Sequence, residues 1–199
     1  MKRGTIVLLV VAALLVLGGL SCVSSYNKLV ALDQGVSAQW AQVENVYQRR
    51  ADLVPNLVET VKGAANFEKE TMIQVTEARA QVGKLSVGKE VLNDPQAFQR
   101  FQQAQAQLSS ALSRLLAVSE RYPDLKATQN FRDLQAQLEG TENRITVERQ
   151  RFNEAAQAFN TKRNTFPTMI LAGLFGSRFS EKVYFQAQAG AQTAPKVTF

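Results

Sequence analysis

Nineteen consecutive uncharged residues, Thr5 to Val23 (TIVLLVVAALLVLGGLSCV), constrain this chain more than any other feature. As a helix, such a run extends roughly 28 Å, close to the hydrocarbon thickness of a bilayer. It is longer than the apolar region of a cleaved signal, and no clear A-x-A-like site follows. The run therefore predicts an uncleaved signal-anchor, a transmembrane helix at residues 5–23 behind a basic N-terminus at residues 1–4. Its partner is the lipid bilayer. Lys2 and Arg3 flank one side and only Lys28 lies close on the other. Positive charge then puts the N-terminus in the cytoplasm and the rest of the chain outside. Cys22 supplies an alternative. Bacterial lipoproteins are cut before a Cys that follows a pattern such as Leu-Ala-Gly. Here Gly19-Leu20-Ser21 precedes it; Ser21 suits the pattern, but Leu20 stands one place too late. Lipidation at Cys22 would also leave the protein on a membrane.

Beyond Val23 the apolar residues recur every three or four positions. Leu29, Leu32, Val36, Trp40, Val43 and Tyr47 form one stripe, and Leu53, Val54, Leu57, Val58, Val61, Met72, Val75 and Val82 another. Between the two stripes, Asp52 as a cap and Pro55 in a first turn favour a break over one kinked helix. A loop follows from Gly83 to Asn93. Asp94-Pro95 then opens a third helix, carrying Phe98, Phe101, Leu108, Leu112 and Leu115, which Pro123 stops. Asp124 or Thr128 starts the last, whose stripe runs through Phe131, Leu134, Leu138, Ile145, Phe152 and Phe159.

Amphipathic segments joined by short connections predict an antiparallel, up-and-down four-helix bundle. The all-α expectation is thus a transmembrane helix, then a coiled-coil-like bundle over residues 24–166 with helices at about 26–50, 53–83, 95–122 and 125–165. Residues 167–199 would form a short apolar helix and an extended tail packed on the bundle, with Val197 and Phe199 pinning its end.

Composition narrows the chemistry. The chain has no His and a single Cys, which removes the commonest base, the commonest metal ligand and a cysteine zinc site. Its formal charge is +6, yet Lys and Arg alternate with acids, as in Arg132-Asp133. That is a solvated helix face and not a nucleic-acid footprint. Di-iron bundles need Glu-x-x-His pairs, which the sequence lacks, and its acids do not have calcium-loop spacing. No Gly-rich phosphate loop and no nucleophile with an adjacent base occurs.

The stretch YNKLVALDQGVSAQWAQVENVYQRRADLVPNLVETVKG, Tyr26 to Gly63, strongly resembles the LemA family of bacterial membrane-associated proteins. The likeness continues in TEARA (Thr76 to Ala80), LEGTENRI (Leu138 to Ile145), RFNEAAQAFN (Arg151 to Asn160) and the tail FP…F…P-K-V-x-F. The resemblance implies one N-terminal membrane helix and an up-and-down four-helix bundle, without an established biochemical activity.

Several polar residues fall inside these motifs: Asp33, Glu44, Arg49, Arg50, Asp52, Glu59, Glu77, Arg79, Glu142 and Arg144. They are expected to form a structural or partner-binding network of ion pairs that sets helix register, with Trp40 as a core anchor. No cofactor, metal or catalytic residue is expected. The leading reading is a non-enzymatic scaffold or adaptor at the bacterial envelope, binding another membrane or envelope protein. The alternatives are a lipid-binding or membrane-remodelling protein acting through the apolar C-terminal segment, and a carboxylate-dependent enzyme.

Overall fold

The computed structural model describes residues 3–63, 68–85 and 88–186. Every element there is helical. The α-helices are α1 (Arg3–Lys62), α2 (Lys69–Lys84), α3 (Pro95–Ser119), α4 (Pro123–Ala127), α5 (Gln129–Asn164) and α6 (Thr168–Leu174). Short 3₁₀ turns occupy Lys89–Asn93 and Gly176–Phe179. The all-α expectation agrees with this, and the short apolar helix expected after residue 166 is α6, but the anchor and four expected bundle segments are divided differently among α1 to α5.

The largest difference lies at the start. The anchor, the first expected bundle helix and half of the second are one helix of 60 residues, about 90 Å long. The break expected near Asp52 is absent, and α1 runs through Pro55 to Lys62. Proline in a helix interior withholds one amide hydrogen and crowds the carbonyl four residues back. That carbonyl belongs to Ala51, and Arg79 Nε on α2 donates to it at 2.9 Å. The stripe of Leu53, Val54, Leu57, Val58 and Val61 is buried on both sides of the proline. The helix ends at Lys62 instead, and α2 begins at Lys69.

The other boundaries follow local chemistry. Asp94 caps α3, its carboxylate accepting from the amides of Gln96 and Ala97 at 2.9 and 3.1 Å. Pro123 opens the single turn of α4. Thr128 caps α5 by accepting from Phe131 N. Pro167 precedes α6, and Gly176 just beyond it takes a φ of +51°, a conformation that favours glycine.

Pairings across the helices give their directions. Trp40 meets Phe152 and Arg50 meets Glu142, so α1 and α5 are antiparallel. Arg114 binds Gln74 and Arg121 binds Glu68, so α2 and α3 are antiparallel as well.

The core has two compartments. One holds Leu53–Val61 of α1, Val75–Val82 of α2, Leu108–Val118 of α3, then Leu125, Phe131 and Leu138. The other holds Leu29–Tyr47 of α1, Phe98 and Phe101 of α3 and Ile145–Phe159 of α5. Because α2 has only 16 residues, it does not cover this second compartment. Val91, Leu92, Ala172, Phe179 and Phe185 close it instead. The segment after α5 thus forms a wall of the compartment nearest the apolar run.

Candidate functional site

Arg50 lies where the two compartments meet, between Tyr47 on one side and Leu53 on the other. It is 1% exposed. Its guanidinium donates to Ser109 Oγ at 2.6 Å, Glu142 Oε2 at 2.9 Å, the Gln105 carbonyl at 3.3 Å and Gln105 Oε1. The Tyr47 ring lies 5.1 Å from its carbon. Arg50 therefore joins α1, α3 and α5 in one polar layer, and buried Thr141 lies beside Glu142 at the same level. A layer of this kind penalises any slip of one helix along another, because a shifted register would strand the charge in apolar surroundings.

The layer borders a cleft of about 340 Å³ lined by Tyr47, Gln102, Ser109, Glu142, Arg149 and Gln186, among others. Burial pushes the Tyr47 hydroxyl above its ordinary range, against the smaller opposing pull of Arg149 and Arg50. Among the described residues, none offers Arg50 Nε a hydrogen-bond partner. The cleft offers guanidinium, amide and carboxylate groups to polar atoms. Among the described residues no group of three His, Cys, Asp or Glu side chains is placed to hold a metal.

The remaining candidates fall into separate contacts. Glu44 accepts from Trp40 Nε1 at 3.0 Å, and Asp52 from Gln48 Nε2 at 2.7 Å. Glu59 pairs with Lys62 at 2.6 Å on an exposed face. Arg79 serves the Ala51 carbonyl. Arg49, Glu77 and Arg144 are exposed, as is Cys22. Trp40 is 1% exposed, with Phe101 and Phe152 at 5.4 Å, Phe98 at 5.8 Å and Phe185 at 6.1 Å between ring centres.

Asp33 leads to a second cluster. It binds Lys182 Nζ at 2.9 Å, and Lys182 also donates to Asn93 Oδ1 at 3.1 Å. Two α5 asparagines, absent from the sequence-based candidates, grip the same stretch. Asn160 exchanges two hydrogen bonds with the Lys182 backbone, each 2.9 Å, and Asn153 exchanges two with Phe185 at 2.8 and 3.0 Å. Both lie in RFNEAAQAFN, seven residues apart on one helix face. That spacing of two amide side chains was the available signal.

A family model described as the LemA family matches residues 39–199. The chain belongs to the LemA family. Among its relatives are magnetosome proteins MamQ 1 and MamQ 2 of Paramagnetospirillum magneticum. Each is 27% identical over 207 residues, covering 92% of this chain and 75% of the relative. MamQ of Magnetospirillum gryphiswaldense is 24% identical over 185 residues, covering 84% of this chain and 67% of its own. A LemA-type protein with one N-terminal helix apolar enough to cross a bilayer is membrane-associated. In this member Arg50, Trp40 and the asparagine pair all fall within the matched residues.

Proposed function

We propose that this LemA-family protein is a non-enzymatic scaffold that holds a rigid helical body at a fixed attitude to the bilayer, where another envelope protein binds it. One observation carries the reading: α1 passes from the apolar run into the core without interruption. Ser25 and Leu29 are already buried in the helical body, so no linker separates anchor from body. A helix transmits orientation where a loop would lose it. Residues 5–23 form the single membrane span, and the charges around it favour the extracytoplasmic side for the body. Relatives named for the magnetosome, and not for a reaction, agree with this reading. The test inserts a Gly-Ser linker between Val23 and Ser24. Membrane retention should persist while partner crosslinks in intact cells, identified by mass spectrometry, are lost. An unchanged set of crosslinks would sink the rigid-mount idea.

A specific feature favours the lipid-contact reading as a second role. The Phe175 ring lies 5.0 Å from Tyr26, three residues beyond the apolar run. Around it Phe166, Met169, Ile170 and Leu174 are 54–76% exposed. An apolar patch beside an emerging membrane helix is suited to the headgroup boundary. An environment-sensitive dye on Leu174→Cys, in a Cys22→Ala background, should shift to the blue on reconstitution into vesicles. No shift would rule the contact out.

A further inference from the structure

Residues Ser180–Gln186 lie in a groove along α5, held by two kinds of contact. The first is a pair of asparagine grips on the main chain, with Asn160 Nδ2 also donating to the Tyr184 hydroxyl at 2.8 Å. Asn160 both donates to and accepts from the main chain of Lys182, and Asn153 does the same at Phe185. Seven helical residues rise about 10.5 Å, and three extended residues span about 10 Å. The two grips therefore match an extended strand running antiparallel to α5.

The second kind reads side chains. Lys182 is 6% exposed, with Asp33 at 2.9 Å, Asn93 at 3.1 Å and the Phe159 ring beneath it at 5.1 Å. Phe185 enters the aromatic pocket of Trp40, Phe98 and Phe152, with the Arg149 guanidinium 4.7 Å from its ring centre. Val183 is half-buried, and Tyr184 is exposed. The groove thus reads Lys-Val-x-Phe most closely at its Lys and Phe, and meets the exposed x position through the Tyr184 hydroxyl.

That pattern occurs twice in the chain, as Lys182-Val183-Tyr184-Phe185 and as Lys196-Val197-Thr198-Phe199. The difference falls on the exposed position. Seated in the same register, the Phe199 carbonyl would replace that of Phe185, which accepts from Asn153 Nδ2 at 3.0 Å. Arg149 stands beside it, already donating to the Gln186 carbonyl at 3.1 Å.

We propose that the α5 groove is a binding site for Lys-Val-x-Phe peptides and that Lys196–Phe199 of the same chain is its second ligand, exchanging with Lys182–Phe185. Sixteen residues, 180–195, separate buried Phe179 from Lys196. Fully extended they reach about 50 Å, ample to loop back. Tethering makes the exchange independent of protein concentration. One groove serves two ligands, so whichever segment is seated leaves the other free.

Disulfide trapping in the full chain with Cys22→Ala tests this. Gln157→Cys lies on α5 between the two asparagines and borders the same surface cleft as Tyr184. Paired with Tyr184→Cys, it should crosslink under mild oxidation and serves as the control. Paired with Thr198→Cys, it should crosslink within one chain, severalfold more after Lys182→Ala/Phe185→Ala and less after Arg149→Ala. A second measurement leaves the tail intact. An amidated Ala-Pro-Lys-Val-Thr-Phe peptide should slow the control crosslink severalfold, and the same peptide with its Lys and Phe replaced by Ala should not. Absence of the 157–198 crosslink in both backgrounds together with an inert peptide would overturn the proposal. So would a 157–198 crosslink found only between chains.

Discussion

Arg79 donates to the carbonyl of Ala51 the hydrogen bond that the helix itself cannot supply, because the residue four places on is Pro55. A side chain of α2 thereby repairs a defect in α1 and fixes how the two helices meet. An exposed hydrogen bond of this kind is worth about 1 kcal/mol. Arg79→Ala should cost that much in urea denaturation of the detergent-solubilised protein. In a Pro55→Ala background, where the amide of residue 55 can reach the carbonyl, the cost should fall towards zero. Equal costs in both backgrounds would refute the coupling.

The polar layer makes an asymmetric prediction. Arg50→Ala removes a buried cation and strands the buried Gln105 side chain, a loss of about 3–5 kcal/mol. Arg50→Met keeps most of the volume without the charge and should cost far less. Glu142 is half exposed, so water replaces it in part, and Glu142→Gln should cost about 1 kcal/mol. Thermal melts of the three variants would rank them.

Trp40 joins four phenylalanines from α3, α5 and the tail. Trp40→Ala should cost about 3–5 kcal/mol. It should also weaken protection of the amides around Phe185 in hydrogen exchange. A stable variant with an undisturbed tail would show that the pocket does not depend on the indole.

The tail closes the compartment that α2 does not reach. Truncation after Thr165 would expose Leu29, Phe152 and Phe159 to water together. At about 25 cal/mol per Å² of apolar surface, the loss is several kcal/mol. Such a chain should melt well below the full-length protein. An unchanged melting temperature would mean that the tail adds nothing to the core.

Tyr47 predicts alkaline behaviour. Burial raises the pKa of its hydroxyl in the folded protein. The folded state then holds its proton more tightly than the unfolded one. The associated stability is complete below the ordinary tyrosine value of about 10 and is lost as pH climbs through the raised one. Tyr47→Phe should flatten the fall in melting temperature above about pH 10. The other tyrosines titrate in both proteins, so only the difference between the two curves reports on Tyr47.

The sequence by itself determined the all-helical class, the apolar anchor, the cap at Asp94 and a buried Trp40, and it narrowed the start of the last helix to Asp124 or Thr128. These follow from periodicity and from hydrogen bonding within a turn or two, which neighbouring residues decide. The tail's own register was not legible: Val197 and Phe199, expected as pins, lie outside the described residues, and Lys182 and Phe185 occupy the groove. Only the tertiary structure decided whether Pro55 breaks its helix, because the missing donor comes from Arg79, 24 positions further along the chain. It likewise decided which of ten polar candidates meet. Arg50 and Glu142 are 92 residues apart in sequence and 2.9 Å apart in space. No local pattern encodes that distance; it is set by how far α1 and α5 overlap once their apolar stripes are packed.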